Sequence, residues 1–254
     1  MELTLKDISY ILAFLIEIAV PIVLAAVISK KYRVSWSIFF LGLGLFLASL
    51  VRIPLNNYVN SILLNSSIKF IYPMTLIIIF ASVTAGLFEE GVRVLGIGFI
   101  VKNKNYHKGL MYGVGHGGGG ESMLFVGLST LANYIIYKFF PGILPSAAIR
   151  QFDSLGWYLP LVGALERIFA IGIQVFLSVL IMHAFLNKRY WIISIAILIH
   201  IIVDFVAAYI QQTVGNMWLT EGIVFIFFAV SVFFIFYLKP KEKLEKEVNS
   251  SITI

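Results

Sequence analysis

The chain has 254 residues, of which 60% are hydrophobic and 13% charged, with a mean hydropathy of +0.95. That balance excludes an ordinary soluble domain and places the chain among membrane-embedded proteins. No nucleic-acid module accompanies the +6 net charge, which is assigned to lysines and arginines flanking membrane spans, and the lack of cysteine excludes disulfides and thiolate chemistry.

The amino-terminal MELTLKDISY lacks the basic region of a cleavable signal peptide and reads as the approach to a retained first span. A spanning helix needs about 20 mostly apolar residues. Runs at 8–29, 35–55, 70–101, 108–140, 157–187, 190–212 and 217–238 meet that requirement and predict about seven transmembrane helices. The expected fold is an all-α, polytopic helix bundle, with one integral membrane domain over 1–238 and a short cytoplasmic tail over 239–254. With the amino terminus outside, Lys30, Lys31, Arg33, Lys102, Lys104, Lys108, Lys188, Arg189, Lys239, Lys241, Lys243 and Lys246 fall on the cytoplasmic side. Only Lys6, Arg52, Lys69, Lys138 and Arg150 fall opposite, and this 12 to 5 split predicts a cytoplasmic carboxyl terminus.

Ionisable side chains inside spans cost roughly 2.5–3.5 kcal/mol each on insertion scales, so each one marks a candidate functional site. The third run holds Glu89, Glu90 and Arg93; the fourth, His116 and Glu121; the fifth, Glu166, Arg167 and His183; the sixth, His200 and Asp204; the first, Glu17 alone. At a rise of 1.5 Å per residue from the cytoplasmic helix ends, Glu89, Glu90, His116, Glu121, His200, Asp204 and Glu17 lie at roughly 12–21 Å. Several separate spans thus bring ionisable groups to one depth, while Glu166 at roughly 30 Å and His183 at roughly 6 Å stand outside that layer.

Spacing adds orientation. His200 and Asp204 are i,i+4, as are Tyr112 and His116, and Glu90 and Arg93 are i,i+3, within reach of a local ion pair. Glu89 is then free to face elsewhere, and Glu17 is a possible second partner for Arg93. His116 and Glu121 stand five apart and diverge on an ideal α-helix, but the stretch YGVGHGGGGESM puts six glycines around them. Each glycine costs about 1 kcal/mol in a helix interior relative to alanine. Two roles offset that cost: close packing of helices, or an opened turn that brings His116 and Glu121 together and exposes backbone toward a cavity.

An adjacent Glu-Glu followed by an arginine, a histidine in the next span with an aromatic four residues before it, and HIIVD later resemble the motifs of the CAAX-protease and bacteriocin-processing (CPBP) intramembrane peptidases. The order EEGVR, GVGHGGGGES, ER, a lone histidine and HIIVD is more closely similar to the YhfC family and the related PrsW family, over roughly residues 86–206. The resemblance implies that Glu89 activates the attacking water, that Glu90 supports it and pairs Arg93, that His116 and His200 complete a water or metal site, and that Asp204 orients His200. It leaves Glu121 with part of the role that histidine has elsewhere, and Tyr112, Glu166, Arg167 and His183 as supporting residues. Only Gly91 and Val92 separate Glu-Glu from Arg93, where the commoner motif has three residues.

The implied activity is hydrolysis of a peptide bond in a membrane-embedded or lipid-anchored protein or peptide, within a multi-pass protein of a prokaryotic cell membrane. The residues leave two mechanisms open: a zinc ion held by His116, His200 and Glu89, or a metal-free glutamate base. A rival class uses the same buried carboxylates and glycine-broken helix for ion- or proton-coupled transport. A third reading is a catalytically idle membrane scaffold.

Overall fold

The computed structural model describes residues 3–65 and 73–240. Lys69, Lys241, Lys243, Lys246, the first residues of the 70–101 run and the tail beyond 240 lie outside the described residues. Helix α1 (Leu5–Tyr32) starts in a capping box, where the Thr4 hydroxyl accepts from the Asp7 amide and the Asp7 carboxylate accepts from the Thr4 amide at 2.7 Å. It ends at Arg33, in the left-handed region with φ 54°. Ser35 caps α2 (Trp36–Ser49), and after a break at Leu50 and Val51 the chain continues as α3 (Arg52–Asn65).

The second span therefore covers Trp36–Asn65, ten residues beyond the predicted end at 55. Pro54 does not stop it, because it occupies the first turn of α3, where no intrahelical partner awaits its missing N–H. Helix α4 (Pro73–Leu95) runs into a π turn (Gly96–Ile100). Next come α5 (Tyr106–Gly113), capped by Asn105, a π-helix (Val114–Gly127) and α6 (Leu128–Phe139), which together form one helical path. A 3-10 turn (Pro141–Ile143) and the short α7 (Ser146–Ser154) precede α8 (Leu159–Leu186), α9 (Trp191–Thr213) and α10 (Met217–Tyr237).

Among the described residues six helices are long and apolar enough to cross a membrane. The chain is thus an integral, multi-pass membrane protein. The α5–π–α6 path, expected as a span of the same kind, is not one of the six; its glycines and polar residues dilute its hydropathy. It has instead the central place, packed on α1, α2 and α8. Helix α8 is the most enclosed of the six, with 61% of its apolar window inside the protein against 17–33% in the others.

Side-chain contacts tie the helix ends into two opposite caps. At one end Tyr32 stacks on His107, Lys104 lies over the Phe185 ring and the Tyr106 hydroxyl donates to the Ile235 carbonyl at 2.6 Å. At the other, Lys138 pairs with Asp7 at 2.9 Å, Lys6 donates to the Phe152 carbonyl at 2.7 Å and Tyr158 stacks on Trp218. The first is the lysine-rich end and the second the amino-terminal end.

Candidate active site

Glu89 and Glu90 are adjacent on α4, so their side chains leave the helix about 100° apart and meet different partners. Glu90 is fully buried and pairs with Arg93 one turn on, as the i,i+3 spacing predicts. The same oxygen, Oε1, lies 2.7 Å from His200 Nδ1 on α9. Glu90 thus bonds the imidazole whose orientation the resemblance assigned to Asp204. Asp204 Oδ2 stands 3.6 Å from His200 Nε2, and its side chain is partly exposed. The i,i+4 spacing brings the two onto one face, but a short carboxylate reaching from that turn stops beside the ring rather than capping it. A neutral imidazole that donates from Nδ1 presents Nε2 as its lone-pair nitrogen.

Glu89 is the focus of the cluster. Its Oε1 accepts from Arg52 Nη2 on α3 at 2.9 Å. Its Oε2 faces His116 Nε2 at 3.5 Å and His200 Nε2 at 3.9 Å, and accepts from Gln174 Nε2 at 3.3 Å. Arg52, counted from the sequence as an outer flanking charge, is therefore a site residue, delivered by the extension of the second span. The Thr84 hydroxyl donates to Asn56 Oδ1 at 2.8 Å and ties α3 to α4 beside this pair.

Gln174, not singled out from the sequence, bridges the carboxylates. Its Oε1 accepts from Arg93 Nη2, while its Nε2 donates to Glu121 Oε2 at 2.9 Å as well as to Glu89. Glu121 Oε1 accepts from Arg167 Nη1 at 3.0 Å, and Arg167 also pairs with Glu166. Arg167 and Glu166 thus join the cluster through Glu121, although their counted depth set Glu166 outside the layer; a long guanidinium spans the remaining distance. His183 does not join: it is bonded to Asn187 near the lysine-rich end. Nor does Glu17 reach Arg93. It is buried beside Gly127, and its Oε2 makes no hydrogen bond.

The glycine run resolves into close packing around a π-helix. A Cβ on Gly115 would collide with the Phe39 carbonyl of α2, and one on Gly118 would stand 2.8 Å from the Pro21 Cβ of α1. The expectation that this backbone opens toward a cavity is corrected here: neighbouring helices occupy the space. The π form keeps the second half of the expectation. Its i to i+5 bonding puts His116 and Glu121 one turn apart, and both reach the Glu89–Gln174 cluster. His116 is wholly buried, with Phe46 edge-on at 5.3 Å and Tyr112 stacked at 6.0 Å. Neither of its ring nitrogens makes a hydrogen bond.

No group of three or more His, Asp or Glu residues among the described residues is arranged as a metal site. The nearest approach is the trio around Glu89 Oε2, whose 3.5 and 3.9 Å separations lie just above the roughly 3.4 Å edge of a tetrahedron with about 2.1 Å metal–ligand bonds. Two imidazoles and a carboxylate are a known catalytic donor set, and the Glu90–His200 bond is the outer-shell contact that orients a ligating histidine. The donor chemistry therefore fits a metal such as zinc.

A profile of the family described as YhfC intramembrane metalloprotease matches residues 16–224. The chain is also 30% identical over 241 residues to a Bacillus subtilis (strain 168) protein described as uncharacterized membrane protein YhfC, covering 87% of this chain and 91% of that one. No solved structure matches it.

Proposed function

The chain belongs to the YhfC intramembrane metalloprotease family, and on that premise we propose that it hydrolyses a peptide bond of a membrane-embedded or lipid-anchored protein or peptide at Glu89. The observation that carries this reading is the convergence of His116 Nε2 and His200 Nε2, from two other helices, on one carboxylate oxygen of Glu89. Amide hydrolysis needs a positioned water, a proton acceptor and a stabiliser for the oxyanion. Arg52 holds Glu89 Oε1 and leaves Oε2 facing the imidazoles, where in the metal-free form of the mechanism it accepts the proton of a water seated between them. Glu90 keeps His200 Nε2 directed at that water, and His116, packed between Tyr112 and Phe46, closes the other side.

In the metal-dependent alternative, His116, His200 and Glu89 would instead hold a zinc ion, and Glu89 would be a ligand rather than the base. When bound, such an ion supplies a Lewis acid and a hydroxide-like nucleophile near neutral pH. Ion- or proton-coupled transport, the rival open from the sequence, draws no support from the family.

The test compares new protein amino termini in membranes carrying the wild-type chain or Glu89→Gln. Peptides released only by the wild type, with both proteins folded and equally abundant, support the peptidase. Identical sets of termini, together with no cleavage of membrane-anchored reporter peptides by the purified wild type, would overturn it. Metal content is measured separately, on protein purified without chelator. About one zinc per chain, lost in His116→Ala and in His200→Ala, is the expected result.

A further inference from the structure

The charged network does not stop at Glu89. It continues through Gln174, Glu121, Arg167 and Glu166 toward the amino-terminal end, and its outer members are more exposed than Glu89. Glu89 is 4% exposed, Arg167 16%, Glu121 19% and Glu166 36%, and Asp204 across the gap is 40% exposed. Counted at 1.5 Å per residue from the amino-terminal-end helix termini, Glu89 lies about 24 Å deep, Gln174 about 22 Å, Asp204 about 14 Å and Glu166 about 10 Å. Charged groups at such depths are not left against lipid, because exposure to hydrocarbon costs several kcal/mol each; they face a water-filled cavity or one another.

The packing leaves room for such a cavity. Among the described residues the main packing of α3 is on α4, and that of α6 on α1, the π-helix and the following 3-10 turn, rather than on α8 or α9. The opposite direction is sealed. Between the site and the lysine-rich end lie Ile97, Met111, Tyr112, Leu177, Ile181 and Met182, all with 0% exposure. At the inner limit of the polar path stands His116, wholly buried, with Nε2 facing Glu89 Oε2 at 3.5 Å.

We propose that water and the scissile segment reach Glu89 from the amino-terminal end of the bundle, through a cleft lined by Arg52, Glu121, Glu166, Arg167 and Asp204, and not from the lysine-rich end. This rests on the peptidase reading for its substrate, a peptide segment that enters from the amino-terminal end and reaches Glu89, which lies nearer the lysine-rich end, about 17 Å from Ile100. It stands on the geometry alone for its route.

The chain has no cysteine, so single cysteines report access without background. Glu166→Cys, Asp204→Cys and Ala208→Cys, the last one turn beyond Asp204 on the same helix face, are treated with a small charged methanethiosulfonate in sealed vesicles of each orientation. Ser154→Cys marks the amino-terminal end and Arg189→Cys the lysine-rich end; both positions are exposed. The cleft cysteines are expected to be modified in the vesicles that modify Ser154→Cys, at least tenfold faster than in those that modify only Arg189→Cys. Modification that follows Arg189→Cys overturns the proposal. So does modification in neither orientation when the denatured variants react fully. Because labelling needs no catalysis, its outcome is independent of whether cleavage is found, and Ala208→Cys retains the test if a charge substitution impairs folding.

Discussion

Glu90 is held from two sides, by Arg93 on its own helix and by His200 on α9, and all three side chains are buried. Removing one partner of a buried ion pair leaves an uncompensated charge and typically costs about 3–5 kcal/mol. Glu90→Gln is therefore expected to lower the thermal unfolding midpoint in detergent sharply, with activity lost as a consequence of the displaced His200. Asp204→Asn offers the contrast: the carboxylate is partly exposed and 3.6 Å from the ring, so its loss is expected to shift stability by less than about 1 kcal/mol. A destabilisation of Asp204→Asn equal to that of Glu90→Gln would show that Asp204, as the resemblance implied, is the residue that holds His200. The ionisable members of this cluster were legible because hydropathy makes a buried charge conspicuous. Arg52 and Gln174 were not: Arg52 stands near the predicted end of the 35–55 run and reads as a flanking charge, and the partners of the two lie 37 and 85 residues away. A signal for Gln174 did exist. It is the lone amide of the α8 run, about 18 Å from the helix end at Leu186, within the depth shared by Glu89 and His200.

The π-helix is the element on which the site depends, and substituting its packed glycines is expected to act with the opposite sign to substituting an open glycine on α4. Gly115→Ala would drive a methyl group into the Phe39 carbonyl, a backbone atom that cannot swing aside, and overpacking of this kind costs about 1–3 kcal/mol or more. Gly91→Ala on α4 meets no atom within 4 Å, so helix propensity alone applies and the substitution is expected to stabilise by up to about 1 kcal/mol. Unfolding midpoints measured side by side should move in opposite directions. Equal, small shifts would mean that the π-helix and α2 are not in backbone contact. The sequence raised both possibilities for the glycine run, close packing and an opened turn. It could not choose between them, because the deciding atoms, Phe39 O and Pro21 Cβ, belong to helices about 75 to 100 residues earlier in the chain. Element existence followed from apolar runs, whereas the 30-residue length of the second span depended on the register of Pro54 in a first helical turn.

At the scale of the molecule, the charges and the cleft point in opposite directions. Among the described residues Lys30, Lys31, Arg33, Lys102, Lys104, Lys108, Lys188, Arg189 and Lys239 border the lysine-rich end, while Lys6, Lys138 and Arg150 remain at the amino-terminal end once Arg52 is assigned to the site. Flanking lysines and arginines orient membrane proteins with the richer side in the cytoplasm. The lysine-rich end is therefore expected to face the cytoplasm, and the polar cleft away from it. Reporter fusions check the first half of that statement directly. A fluorescent protein joined after Ile254 is expected to fluoresce, and alkaline phosphatase joined there to stay inactive, whereas phosphatase inserted after Ser154 is expected to be active. The reverse pattern would turn the bundle over without altering its internal geometry, and the cleft would then open to the cytoplasm. Entry of water and substrate from the outer side follows only if both the fusion result and the cysteine labelling agree, because one fixes which end is outside and the other which end admits water.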